Sequence, residues 1–261
     1  MRVLFVGDIF GKPGRSVASS FIPSIIRGKG VDFCIANGEN LAGGFGITGN
    51  CMNKLFSYGV DVITSGNHIW DRQETENLLN DNPRLLRPAN YPNGVSGNGD
   101  IVAEAAGGVK VGVISLQGRI YMQPIDCPFR TAERIVDRMK RETSVIFVDI
   151  HAEATSEKMA LGWYLNGKVT AVLGTHTHVM TADERVLSGG TAYISDVGMT
   201  GPRDSIIGVR IDQSLRRIIK QIPTRFSPAE EGLMFSAVLV EVDENTGRAL
   251  SIERIFEPYD V

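Results

Sequence analysis

Every histidine in this chain stands at the end of an apolar run. His68 closes Val60-Asp61-Val62-Ile63-Thr64-Ser65-Gly66-Asn67-His68, and His151 closes Val145-Ile146-Phe147-Val148-Asp149-Ile150-His151. His176 and His178 close the run that begins at Val169. Two further run ends carry oxygen donors: Asp8 in Gly7-Asp8, and Glu39 with Asn40 in Asn37-Gly38-Glu39-Asn40. Neutral imidazole is a preferred ligand of divalent transition metals, and carboxylate and amide oxygens complete such sites. Five strand ends therefore offer Asp8, Glu39, Asn40, Asn67, His68, His151, His176 and His178 as side chains for a catalytic metal site. One ion seldom needs so many ligands. Two ions about 3.5–4 Å apart, with a bridging carboxylate and a bridging water or hydroxide, do. With no thiolate among the donors, Fe, Mn or Zn suits them better than Ca or Mg.

Taken singly, most of these residues have a plain structural reading. Asp8 and Asn67 could hold turns, Glu39 and Asn40 could cap a loop, and His151 could be a satisfied buried histidine. His176-Thr177-His178 is harder to dismiss, because alternate residues of an extended segment share a face. Together the structural readings require five coincidences at equivalent sheet positions. Asp149 and Glu153 flank His151 and are weaker ligand candidates, Asp149 because it lies inside the run. Gly7-x-x-x-Gly11 and Gly43-Gly44-x-Gly46 match neither a P-loop nor a dinucleotide fingerprint and read as turns.

The elements that must position these side chains follow from the same runs. Continuous apolar runs predict buried strands of an open α/β sheet, whose ligand crevice lies beyond the strands' carboxyl ends. The whole histidine complement is thus expected on one sheet edge. Strands are predicted over 2–7, 31–36 and 60–65, with helices over 14–28 and 50–58. Asp71 followed by Glu74 has the spacing of a capping box for a helix to Leu79. This βαβαβα order predicts parallel strands with right-handed crossovers. Residues 84–100, rich in Pro, Asn and Gly, read as a surface insert, and 101–105 with 109–115 as a hairpin turning at Gly107-Gly108. Residues 117–130 form a second insert, a lid or a packed surface loop. Helices are predicted over 131–142 and 155–166, and later strands over 191–195, 206–211, 235–242 and 250–256, with room for a helix within 213–232. No linker-like stretch divides the chain, so one domain over 1–261 is expected, with inserts at 84–100 and 117–130.

Composition narrows the partners. The formal charge of −3 gives no broad electrostatic footprint for duplex nucleic acid, but it permits a small phosphorylated substrate held through metals. No run is long and apolar enough to span a bilayer, and the start of the chain reads as a first strand rather than a signal peptide. Three cysteines, Cys34, Cys51 and Cys127, lack motif spacing, which fits a reducing cytoplasm. A homo-oligomer is compatible with such sheets.

Gly7-Asp8, Gly38-Glu39-Asn40, Gly66-Asn67-His68, His151 and Gly174-Thr175-His176-Thr177-His178 resemble the ordered motifs of calcineurin-like metallophosphoesterases. Two departures stand out: Phe10 occupies the place of the first motif's histidine, and Glu39 replaces the usual bridging aspartate. Both departures, with Val6-Gly7-Asp8-Ile9 and Ser195-Asp196-Val197-Gly198-Met199-Thr200-Gly201-Pro202, resemble the YmdB-like phosphodiesterase branch. The resemblance implies a layered β-sandwich flanked by helices, with the metals at strand carboxyl ends. It implies a first metal on Asp8, Glu39, Asn40 and His178, and a second on Glu39, Asn67, His151 and His176. A metal-bridging hydroxide would attack phosphorus in line, with His68 as general acid or phosphoryl-binding residue. It also implies cyclic nucleotides as substrates, 2′,3′-cyclic nucleotide monophosphates above all. A phosphomonoesterase or nuclease with the same metal pair, acting on RNA ends for instance, is the alternative. So is a non-catalytic regulatory or RNA-associated protein that retains the metals.

Overall fold

The computed structural model describes residues 1–259; the last two positions of the domain expected over 1–261 lie outside the described residues. The chain first builds β1 (Arg2–Val6), β2 (Asp8–Ile9), α1 (Gly11–Lys29), β3 (Phe33–Asn37), α2 (Gly49–Ser57), β4 (Val62–Thr64) and α3 (Thr75–Asp81). A hairpin of β5 (Asp100–Glu104) and β6 (Lys110–Gln117) leads into α4 (Pro128–Met139), β7 (Val145–His151), α5 (Thr155–Tyr164) and β8 (Ala171–Thr175). There follow β9 (Arg185–Val186), β10 (Ala192–Ile194), β11 (Met199–Pro202), α6 (Ile211–Lys220), β12 (Leu233–Val242) and β13 (Ala249–Pro258). The result is a mixed α/β fold.

These strands form two sheets. One has the order β2-β11-β12-β1-β3-β4, with β13 beside β12; the other has the order β5-β6-β7-β8-β10-β9. Strands β1, β3 and β4 run parallel, as do β6, β7, β8 and β10. The sequence explains why. Along β1, Val3 and Phe5 face one core while Leu4 and Val6 face another, and along β7 Val145 and Phe147 separate in the same way from Ile146, Val148 and Ile150. Both faces of these strands are covered, so their apolar residues follow one another instead of alternating with polar ones, with Asp149 the buried exception in β7. The core containing Val3, Phe5, Phe33, Val113 and Phe147 draws on both sheets; α1 and α2 cover the first sheet and α4 the second.

The histidines therefore do not share one sheet edge. His68 follows a strand of the first sheet, while His151, His176 and His178 follow strands of the second. A fully apolar run reports burial on both faces but not sheet membership. The β5–β6 hairpin, with Gly107 at φ 91° and Gly108 at φ 83°, is where the chain starts the second sheet.

Three local expectations also change. The strand expected over 206–211 is a tight turn in which Ile206 pairs with Val209, and Ile211 begins α6. Of the aliphatic residues that suggested a strand, Val209 is buried, while Ile207 and Ile211 are about half exposed. Asp71 caps no helix, since α3 starts at Thr75, and Glu74 accepts a hydrogen bond from Gly49 N. The segment 84–100 does not lie wholly on the surface as expected: Leu85 and Leu86 are fully buried and pair with Ile63 beside β4, and the remainder is held by Arg87, whose guanidinium donates to the carbonyls of Pro88, Val95 and Ser96. The insert over 117–130 is fastened by the buried Glu157 carboxylate, which accepts from the backbone of Arg119 and Ile120. Among the described residues no helix is long and apolar enough to cross a membrane.

Candidate metal centre

Residues that end or follow β1, β3, β4, β7 and β8, strands of both sheets, come together in one place. Asp8, Glu39 and His178 offer ligand atoms within 4.8 Å of one another, and so do Glu39, His151 and His176. Glu39 belongs to both groups. Around His151 Nε2 stand His176 Nδ1 at 2.9 Å, Glu39 Oε1 at 3.0 Å and Asn67 Oδ1 at 3.1 Å. Ligand atoms about 2.0–2.2 Å from an ion lie about 3 Å from their neighbours, so this spacing fits one. Asn40 Nδ2 lies 3.1 Å from His178 Nε2 and 3.2 Å from Glu39 Oε1; a half-turn of the amide places its oxygen there instead. Asp8 Oδ1 is buried with no hydrogen-bond partner, 3.8 Å from both His151 Nδ1 and His178 Nε2. A buried carboxylate oxygen left in that state is costly, and a divalent cation would satisfy it. The mixed nitrogen and oxygen donors fit such an ion in each group.

The imidazoles are held by their other nitrogens. His151 Nδ1 donates to Thr175 Oγ1 at 2.9 Å, because that hydroxyl gives its own proton to Asp149 Oδ1 at 2.7 Å. Asp149 accepts in addition from Thr64 and Asn37. It thus lies beneath the site as a support, not as a donor. His178 Nδ1 donates to the Ile207 carbonyl at 2.8 Å. In both residues Nε2 is left to face the acidic groups, the orientation that outer hydrogen bonds impose on metal-binding histidines.

The charged groups of this cluster act directly on one another. Burial disfavours the His151 imidazolium, but Glu39, through charge and hydrogen bond, and then Asp8 and Asp149 pull it up to about 9. Burial acts against the Glu39 carboxylate, yet His151 and the His68 backbone N–H hold it well below the usual range. Burial raises Asp8, against the pull of His178 and His151 and with help from Glu39. His176 is pushed down to about 3 by burial and by the His151 charge. The carboxylates demand positive charge at His151 Nε2, which a proton or a metal ion can supply.

His176 and His178 do not project from an extended strand as expected. Strand β8 ends at Thr175, and the two residues adopt φ values of 103° and 65°. This left-handed turn sends His176 to one ligand group and His178 to the other. The turn is fixed from below by Asp196, whose Oδ2 accepts from Thr177 N at 3.0 Å, Thr177 Oγ1 at 2.8 Å and Lys158 Nζ at 2.8 Å. Lys158 and Asp196 are both buried. Lys158 sits on α5, and the fold brings its partner Asp196 to it from 38 residues away. A strained backbone of this kind persists when its surroundings over-determine it.

His68 stands across the opening. Its backbone N–H donates to Glu39 Oε2 at 3.1 Å, and its Nδ1 lies 2.8 Å from Asp71 Oδ2. The carboxylate that sequence assigned to a helix cap thus orients this ring. The i,i+3 spacing of His68 and Asp71 was the available signal. His68, Glu39, Asn40, His176 and His178 line a cavity of about 290 Å³ whose other walls include Phe10, Phe45, Val209 and Phe226. Phe10, at the position of the missing motif histidine, packs edge-on to His178 with ring centroids 5.5 Å apart. Glu153 reaches the same opening, 3.2 Å from His176 Nε2 and half exposed.

Gly66 is where the backbone comes nearest to a ligand: a Cβ there would overlap the His151 ring. Gly66→Ala is therefore expected to displace His151 and to weaken metal uptake at the Glu39–His151–His176 group by at least about tenfold, the scale seen when ligand orientation is lost. Isothermal titration of the metal-free variant with Mn²⁺ checks this; unchanged affinity would mean that His151 is not a ligand.

Residues 4–255 match the model of the family described as YmdB-like protein. A 2′,3′-cyclic-nucleotide 2′-phosphodiesterase of Bacillus subtilis is 46 % identical over 98 % of this chain and 96 % of its own length. A crystal structure of a protein of Thermus thermophilus, described as hypothetical, superposes with a TM-score of 0.93 at 40 % identity, covering 100 % of both chains. One described as a novel phosphatase of Mycoplasma pneumoniae superposes with a TM-score of 0.92 at 33 % identity, over 99 % of this chain and 93 % of the other.

Proposed function

Because this chain belongs to the YmdB-like family, we propose that it is a metal-dependent phosphodiesterase of cyclic nucleotides, with 2′,3′-cyclic nucleotide monophosphates as its preferred substrates. The carrying observation is that Glu39 is shared by two ligand groups that open, with His68, onto one small cavity. Asp8, Glu39, Asn40 and His178 would hold one ion; Glu39, Asn67, His151 and His176 would hold the second. Fe, Mn or Zn suits these donors. When bound, the pair supplies a water acidified toward neutral pH and positive charge facing the phosphoryl oxygens.

The chain's own residues do the rest. His68, fixed through Nδ1 by Asp71, keeps Nε2 free to protonate the departing ribose oxygen as the P–O bond breaks. Asn40 and Asn67 add neutral oxygens, which limit the negative charge that repels a phosphate. The cavity, near 290 Å³, suits a small ligand and offers no groove for a duplex. Phe45, whose ring lies edge-on to His68 at 5.1 Å, and Phe226 give apolar faces against which a base or ribose can rest.

The core shared by the two sheets supports a metallophosphoesterase-type sandwich, and the chain is read as one domain with inserted segments at 84–100 and 117–130. The test is a substrate panel with metal-reconstituted protein. Hydrolysis of 2′,3′-cyclic AMP is expected to exceed that of 3′,5′-cyclic AMP and of p-nitrophenyl phosphate, to stop on chelation, and to return with Mn²⁺ or Fe²⁺. Turnover that survives chelation would sink the metal assignment, and preference for the monoester would sink the diesterase assignment.

A further inference from the structure

One face of β12 runs out of the core and into a second cavity. Val238 and Val240 on that face pack in the core shared by the two sheets, and alternation puts Ser236 and Met234 on the same face. These two line a cavity of about 260 Å³ together with Met199 of β11, Phe256 of β13 and Met180. The strand register builds its floor: Gly201 of β11 stands opposite Met234, and Phe256 opposite Ser236. His178 and Ile207 line this cavity and also the one lined by His68, so the two adjoin at the His178–Ile207 hydrogen bond.

Three features of the second cavity point to a ligand. The Ser236 hydroxyl is buried and has no hydrogen-bond partner, a state that a bound polar group relieves. Apolar side chains of its lining stay open to solvent: Val179 is 62 % exposed and Phe256 49 %. The Arg203 guanidinium stands among them unopposed. No carboxylate lines the cavity, and among the described residues Arg203 joins no ion pair. An aromatic side chain and flexible methionines accept a flat base of any identity, and a free guanidinium accepts a phosphate.

A 2′,3′-cyclic mononucleotide offers one base and one phosphate. It would fill the His68 cavity, give its phosphate to the metals and leave the second cavity empty. A linear dinucleoside monophosphate brings a second base but no second phosphate for Arg203. We infer that the substrate is a short RNA end whose last nucleotide carries the 2′,3′-cyclic phosphate. The terminal nucleotide occupies the His68 cavity, the preceding base occupies the methionine-lined one, and the phosphate that links them meets Arg203. This deepens the cyclic-nucleotide reading and rests on it. The reaction is the same: the oxygen of water bonds to phosphorus, the bond to one ribose oxygen breaks, and that oxygen takes the proton.

The experiment compares ApA 2′,3′-cyclic phosphate with 2′,3′-cyclic AMP on the metal-loaded protein. The dinucleotide is expected to have a kcat/KM higher by about tenfold or more, the scale of one stacked base. Phe256→Ala and Arg203→Gln, both at exposed positions, are each expected to cut that ratio by about fivefold or more. Equal kcat/KM values, or a ratio that both variants leave intact, would overturn the inference. So would faster cleavage of linear ApA, which would give the second cavity to a leaving nucleoside. No turnover of either cyclic substrate would instead strike the cyclic-nucleotide reading, and the second cavity is then judged by calorimetry alone. ApA 3′-phosphate is expected to bind about tenfold more tightly than 3′-AMP, and equal affinities would remove the base from that cavity.

Discussion

His68→Ala is expected to lower kcat on 2′,3′-cyclic AMP by about 10²–10⁴-fold while both metals stay bound. The ring is absent from both ligand groups, so its removal takes away no metal donor. What disappears is a nitrogen held at the cavity by Asp71, the group placed to give a proton to the leaving oxygen. The interaction of Glu39 with position 68 uses the backbone N–H, which alanine keeps. An acid is needed most when the leaving group is a poor one. The loss should therefore shrink sharply with bis-(p-nitrophenyl) phosphate, whose leaving group departs without protonation. Steady-state kinetics on the two substrates, with metal analysis of the same preparations, separate the outcomes. An equal loss on both would remove His68 from the acid role, and loss of metal would mean that the ligand assignment is wrong.

Glu39→Gln should have a wider effect: loss of both metals and of all measurable turnover. Glu39 alone appears in both donor groups, and glutamine preserves its shape while removing the charge and one of the two acceptor oxygens. Losing an outer partner of a metal ligand already costs about 10–100-fold in affinity, so losing a shared ligand should exceed that. Asp8→Asn is the informative contrast, since Asp8 belongs to the His178 group alone and its loss should spare the group containing His151. Mass-spectrometric metal analysis after dialysis decides. Two equivalents of metal in Glu39→Gln would show that Glu39 does not bridge, and identical stoichiometry in the two variants would remove the division into two groups.

Much of this arrangement could be read from the chain because burial writes itself into strands. Val145 to Ile150 supply two different cores from alternate residues, so the run is apolar but for Asp149 and its end marks a strand terminus. The same burial hides sheet membership, which is why one sheet edge is expected for histidines that fall on two sheets. Asp71 misleads for a different reason. One carboxylate three residues from a histidine and three from a glutamate satisfies either a cap or an imidazole, and the competition between local partners is settled only in three dimensions. The turn at His176 and His178 could not be seen either, because it is imposed by Asp196, which the chain brings back about twenty residues later along with the buried Lys158.

The division of donors between the sheets has a consequence for the molecule's lifetime. Asp8, Glu39 and Asn67 come from one sheet, and His151, His176 and His178 from the other. Ions seated between them would act as rivets through the joint. Binding at a thousand times the dissociation constant contributes about 4 kcal/mol, a sizeable part of the margin by which domains stay folded. In a cell starved of transition metal the enzyme would then lose its catalyst and its fastening together. Scarcity would thin the population by proteolysis as well as silence it.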